Sequence, residues 1–487
     1  MRSTAPTAFQ QLDESTLSKF HFKAVITSGM GFFTDAYDLF IIGVVIVLLR
    51  PIWHLTALEV SLLGSTALLS AALGSLIFGH LADLLGRKVI YGYELVVLAI
   101  GAILSALSPN ILSLLIFRFL LGLGVGGDYP VSATLMSEYA NRRDRGKLIT
   151  MVFSTQALGL IVGPLIAVLL LFSGLNTDWI WRIMLALGAV PAMATFSLRR
   201  QISESPRFSL SQGNITEVAR AIAQATQQAG ATQNGSNATT ATKAVTPAIS
   251  PELLQHPSWQ EVLSAKHSIL WLIGTAGTWF MLDVAYYGTT VSTPMVLKLL
   301  NANASLTTNM LYTLLIFVVA ALPGYILAAL TVDHLGRKKL QLLGFAMMAV
   351  AYGLLFIFPA LNTITVPFLL AYGLGYFFTE FGPNVTTFAY PAEIFPVAVR
   401  ATAHGISAAV GKLGAFIGAF VFPMLLSSVF LPGAMGFAAI VSIAGFLLTF
   451  VLPEPDRKSL ETIEKEGEQL DEEIDKKVDG EMSVEAG

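Results

Sequence analysis

"LADLLGRK" (Leu81–Lys88) lies between two apolar runs and returns, in the same setting, as "TVDHLGRK" (Thr331–Lys338). In both copies an Asp stands three residues before Gly and four before Arg. A second pair keeps step with the first. "SEYANRRDR" (Ser137–Arg145) and "AEIFPVAVR" (Ala392–Arg400) each place a Glu seven residues before an Arg. Two matches in register describe duplicated halves in parallel orientation, an architecture of membrane transporters.

Outward from these loops the composition agrees. Of 487 residues, 54% are hydrophobic and only 13% charged, about half the roughly 25% of a soluble domain, and mean hydropathy is +0.68. A soluble chain of this length could not cover its core with so little polar surface. A hydrocarbon core about 30 Å thick takes about 20 apolar residues per helix. By that measure twelve spans are expected, starting near Lys23, Leu58, Lys88, Asn110, Lys147 and Asp178, then near His267, Thr307, Lys339, Thr363, Ala401 and Gly433. The expected fold is an all-α membrane protein of two pseudo-symmetric six-helix halves.

The expected organisation is an N-terminal segment (1–22), a six-helix bundle (23–198), a polar linker (199–266), a second bundle (267–452) and an acidic tail (453–487). The linker contains the low-complexity stretch "QQAGATQNGSNATTATKAVTPAIS". The N-terminus lacks the short apolar core and cleavage site of a secretory signal, so the first span is expected to act as its own insertion signal. Lys and Arg collect in connections after even-numbered spans, which places both termini and the linker in the cytoplasm of a plasma membrane or bacterial inner membrane. The chain has no cysteine, which excludes disulfides, thiolate catalysis and Cys-ligated metals. No Gly-rich phosphate loop, clustered metal ligands or nucleophile beside a base is present, so neither an enzyme, a metal site, a cofactor nor a nucleic-acid partner is expected.

The charged loop residues have two readings. Lys and Arg there serve topology in any case. Acids recurring at matched positions favour a conformational latch made of Asp83, Arg87, Glu138 and Arg145 in the first half and Asp333, Arg337, Glu393 and Arg400 in the second. Acids inside spans are costlier, at about 2.5–3.5 kcal/mol each on insertion scales. Asp35 and Asp38, in "GFFTDAYDLFIIGVVIVLL" (Gly31–Leu49), share one helix face. Asp128, Asp283 and Lys412 also interrupt apolar runs. Structural ion pairs would account for one such residue; several together favour a proton or ion path. Trp279, Asp283 and Tyr287 step by four and stack on one face. Gln156 and Asn384 must face the bundle interior. His404 and Glu380 are weaker candidates, and Arg118 is set aside as lying away from the site.

The Asp-x-x-Gly-Arg-Lys loops and twelve spans resemble the major facilitator superfamily. "GGDYPVSATLMSEYA" (Gly126–Ala140) resembles the signature of its phosphate:proton symporter family, and "GFFTDAYDLF", "TWFMLDVAYYG" and "FGPNVTTFAYPAEIFP" are similar to that family's first, seventh and tenth spans. The resemblance implies a phosphate site built from Tyr129, Gln156, Trp279, Asp283, Tyr287 and Asn384, with Lys412 nearby. It also implies a proton route through Asp35, Asp38 and Asp128. Ala392, Val410 and Val385 depart from the family pattern without removing a ligand. The expected partners are inorganic phosphate, protons and the lipid bilayer, with the chain acting as a monomer. The rivals are the same fold carrying a sugar or organic anion, for which "SESPRF" (Ser203–Phe208) speaks, and a phosphate receptor that does not transport.

Overall fold

A computed structural model describes residues 9–226, 265–300, 303–397, 399–458 and 460–471 except 461, 464 and 468. The low-complexity stretch of the linker and the last acidic residues lie outside the described residues. Eleven helices are long and apolar enough to cross a bilayer. In the first half they are α1 (Lys19–Ile52), α2 (Ala57–Leu85), α3 (Arg87–Ala106), α4 (Ile111–Tyr139), α5 (Arg145–Phe172) and α6 (Thr177–Arg199). In the second they are α7 (His267–Leu300), α8 (Leu306–Leu335), α9 (Arg337–Ile357), α12 (Arg400–Ser428) and α13 (Phe430–Thr449). The remaining span, the tenth in chain order, is broken into α10 (Thr365–Phe381) and α11 (Pro383–Ile394). Among the described residues there is no strand. The widest miss in an expected start is the first, Lys23 against the observed Lys19.

Local chemistry fixes the ends. Thr56 and Glu59 form a capping box at the start of α2, and Asn110 and Ser113 form another at α4. The two Asp-x-x-Gly-Arg-Lys loops turn at Gly86 (φ +99°) and Gly336 (φ +84°), a backbone region open to glycine and strained for other residues. The helix that follows each turn is capped by an acid from beyond the last span of the same half. Glu204 accepts from Lys88 N at 3.0 Å, and Glu454 accepts from Arg337 N at 3.0 Å and Lys338 N at 2.9 Å. Burial raises the Glu204 carboxyl above the usual range for glutamate. "SESPRF" therefore does structural work here, with Ser205 capping the short helix Pro206–Ser211.

Three irregularities point side chains into the molecule's centre. Gly382–Pro383 removes a backbone donor and parts α10 from α11, which puts Asn384 in the first turn of α11. A π-helical turn at Phe317–Ala321 precedes Pro323 in α8 and sets the direction of Tyr325. The α5 ladder is interrupted at Thr155, whose hydroxyl donates to Gly29 O at 2.5 Å, directly before Gln156.

Candidate functional site

Where the halves meet, eight of the expected side chains converge; Asp35 is 6% exposed and none of the other seven is more than 3% exposed. Asp35 on α1 accepts from the Tyr129 hydroxyl of α4 at 2.5 Å. Tyr129 Oη lies 3.4 Å from Tyr287 Oη of α7, so the halves touch hydroxyl to hydroxyl. Gln156 reaches Tyr129 Oη at 3.5 Å through its amide nitrogen. Its carbonyl accepts from Tyr325 Oη of α8 at 3.0 Å. Asn384 in turn donates to Tyr325 Oη at 2.8 Å and to Glu380. The network crosses between halves twice, at Tyr129–Tyr287 and at Gln156–Tyr325.

Among the described residues, Lys412 on α12 supplies the one positive charge in this network. Its ammonium lies 3.5 Å from Asp283 Oδ2, donates to Tyr287 Oη, and sits 4.2 Å and 4.4 Å over the rings of Tyr129 and Tyr287. Aromatic faces stabilise such a desolvated cation. Trp279 packs edge-on against His404 at 5.4 Å and tilted against Tyr129 at 5.9 Å. Glu380 is buried and accepts from Asn384, and the Tyr325 and Tyr286 hydroxyls stand beside its carboxyl.

One turn toward the loop motifs, the polar residues give way to Phe32, Phe153 and Phe388. Phe153 and Phe388 stack at 4.5 Å, and Phe32 meets Phe388 edge-on at 5.0 Å. These three rings form an apolar floor.

The other two expected proton acids have partners of their own. Arg118, set aside on sequence, clasps Asp38 through both carboxylate oxygens at 2.6 and 2.7 Å. Sharing a helix face with Asp35 does not give Asp38 the same neighbours. Asp128 is held by Arg199 at 2.6 and 3.0 Å and by Ser132 at 2.6 Å. Arg199 also binds Glu94 at 2.5 Å and lies 4.4 Å over the Tyr91 ring. Arg199 is thus the buried last residue of α6, where the sequence reading opened a polar linker. Tyr325, Arg118, Arg199 and Glu94 are the residues that spacing missed.

The loop residues close one end of the molecule. Asp83 accepts from the first turn of α12, from Ala401 N at 3.3 Å, Thr402 N at 2.7 Å and Thr402 Oγ1 at 2.7 Å. Asp333 does the same for α5, accepting from Gly146 N at 3.1 Å and Lys147 N at 2.7 Å. Each half thus caps the fifth span of the other half through an orphan N-terminus. Around these caps, Arg87 binds Asp83 at 3.0 Å, Glu138 at 3.2 Å and Val397 O at 3.0 Å. Arg337 binds Asp333 at 2.9 Å and Glu393 at 2.7 Å. Arg400 reaches across to Glu138 at 3.4 Å, and Arg145 donates to Lys458 O at 3.0 Å. The seven-residue spacing leads one to expect Glu138 to pair with Arg145 and Glu393 with Arg400, and the structure pairs neither: Glu393 binds Arg337 within its half, while Glu138 binds Arg87 within its half and Arg400 across the halves. The two members of each such pair lie on different helices and find other partners.

A family model described as "Sugar (and other) transporter" matches residues 20–466. The chain is 35% identical over 512 residues to "Probable inorganic phosphate transporter 1-6" of Arabidopsis thaliana, covering 95% of this chain and 97% of that protein. It is also 35% identical to "Inorganic phosphate transporter 1-11" of Oryza sativa subsp. japonica, covering 93% and 89%. Among solved structures, the proton:xylose symporter XylE bound to 6-bromo-6-deoxy-D-glucose aligns with a TM-score of 0.78 at 22% identity over 92% of this chain and 99% of that one. That likeness concerns the fold alone. The chain is a multi-pass membrane protein of the major facilitator superfamily and belongs, within it, to the family of inorganic phosphate transporters.

Proposed function

We propose that this chain imports inorganic phosphate together with protons by alternating access, binding phosphate between its two halves. The observation that carries the reading is the donor set at the interface: Tyr129, Gln156, Trp279, Tyr287 and Asn384 around one Lys412–Asp283 pair. Neutral donors bind an anion well enough to hold it and weakly enough to release it. A carboxylate in an anion site makes sense once the cargo's own protons are counted. H2PO4⁻ and HPO4²⁻ carry hydroxyls that can donate to Asp283, whereas sulfate at neutral pH has none and would leave the acceptor unpaired. Lys412 holds Asp283 and Tyr287; arriving phosphate would take the ammonium and offer its own hydrogen to the released carboxylate.

Coupling rests on Asp35. Its hydrogen bond from Tyr129 links it to the hydroxyl that meets Tyr287, so a proton on Asp35 changes what Tyr129 can donate to the cargo. Asp38 and Asp128 remain candidates for the route through their arginines, whose hold a proton would loosen. Opening requires the loop latch to release so that the halves rock about the site. In this reading the latch faces the cytoplasm of a plasma or bacterial inner membrane, with both termini and the linker on that side, and the monomer is the working unit.

Uptake of labelled phosphate into proteoliposomes, with and without an inward proton gradient, tests the proposal. Wild type should accumulate phosphate only with the gradient, unlabelled sulfate or glucose should not compete, and D283N should lose at least tenfold of the rate. Binding without uptake would point to a receptor. Competition by glucose would point to a sugar carrier.

A further inference from the structure

At the end of the molecule opposite the latch, a cavity of about 590 Å³ opens between the last turns of α1 and α7. Its ionisable lining residues are Arg50, His54 and Lys298, and no acid lines it. We infer that this cavity is an antechamber that captures inorganic oxyanions before they reach the buried site, an inference that rests on the phosphate reading above.

Register along the two first helices supports this. Arg50 lies fifteen residues beyond Asp35 on α1, and Lys298 lies fifteen residues beyond Asp283 on α7. At 1.5 Å per residue both cations stand about 22 Å above the central acids. Duplication has put matching charges at matching heights and turned both into one cavity. Between these levels the helices touch: a Cβ at Gly43 would meet Val291 O at 2.9 Å, and both residues lie eight beyond the central acid. The order along the path is therefore basic cavity, close crossing of α1 and α7, then the polar site.

Lys or Arg in a last helical turn is favoured by the carbonyls there. That explains a cation at a helix end but not two facing a shared cavity. The topogenic rule is no better account. The connections at this end, residues 107–110, 173–176, 301–305 and 358–364, contain no Lys or Arg, so Arg50 and Lys298 run against the charge bias of their own face. His54 adds a backbone held at φ +50°, a conformation unusual for a non-glycine residue and kept where neighbours enforce it. A concave basic mouth with apolar walls raises the local anion concentration. Because it reads charge and not hydrogens, it should take sulfate as readily as phosphate and leave selection to Asp283 below.

Two measurements test this. In labelled-phosphate uptake at low ionic strength, R50Q/K298Q should raise KM roughly three- to tenfold with the maximal rate retained, added salt should bring the wild type toward the same KM, and R50K/K298R should behave as wild type. In detergent, the ring resonances of His54 in isotope-labelled protein, assigned with H54Q, should shift saturably with sulfate in wild type and not in R50Q/K298Q. An unchanged KM, or no saturable shift, overturns the antechamber. An uptake effect confined to vesicles containing anionic lipid, and absent in purely zwitterionic ones, would overturn it in favour of lipid headgroups. If wild type takes up no phosphate but His54 still titrates with sulfate, the cargo reading fails and the oxyanion site stands.

Discussion

Lys412 and Asp283 are each 1% exposed, and their worth is asymmetric. Removing one member of a buried pair leaves an uncompensated charge and costs about 3–5 kcal/mol, whereas removing both can be nearly neutral. K412A should therefore lower the thermal stability of the detergent-solubilised protein markedly, and K412A/D283N should recover most of it, with both singles and the double read from one set of unfolding curves. Additive losses would mean that the two residues do not share a bond. At this scale the sequence exposes acids better than their partners. Asp38 and Asp128 stand out as costly residues in apolar runs, but their arginines come from α4 and α6, and helical spacing reaches only three or four residues. Tyr325 is silent for another reason. A tyrosine in an apolar span is common, and only the Pro323 ahead of it hints that its helix is bent toward a site.

Among elements, the reciprocal caps of α5 and α12 tie the two halves together at the end where a latch is proposed. A carboxylate on an N-terminal turn contributes about 0.5–2 kcal/mol, so losing one cap should shift the open population several-fold. The absence of cysteine allows a clean readout. Ser137 is buried at this interface and donates to Ala392 O at 2.6 Å, so S137C should react slowly with a maleimide. Adding D83A or D333A to S137C should speed labelling roughly threefold to tenfold. Equal rates would remove the caps from the latch. The existence of both loop motifs is legible in the sequence because duplication repeats them. Their partners are not, because the acid of one half ends on backbone donors of the other, and backbone N–H groups leave no mark on residue identity. The tenth span shows the same limit: hydropathy finds it, but the Gly382–Pro383 break that orients Asn384 takes it below the length of a continuous crossing.

For the whole molecule, the two-by-six plan follows from charge distribution and the repeat, while the meeting of its halves depends on residues far apart in the chain. The floor of Phe32, Phe153 and Phe388 is one such meeting, since it draws on α1, α5 and α11. Its meaning is electrical. In the proton-coupled cycle proposed above, water must never form a continuous wire from one bath to the other, and the three packed rings beneath the hydroxyl-rich chamber would be the insulator in that circuit. On that reading, vesicles bearing F388A should lose an imposed pH difference severalfold faster than wild type with no phosphate present, as a trapped pH dye would record. If the gradient decays at the wild-type rate, the insulation lies elsewhere. On this view the rings set how little of the proton gradient is wasted while the chamber waits for its cargo.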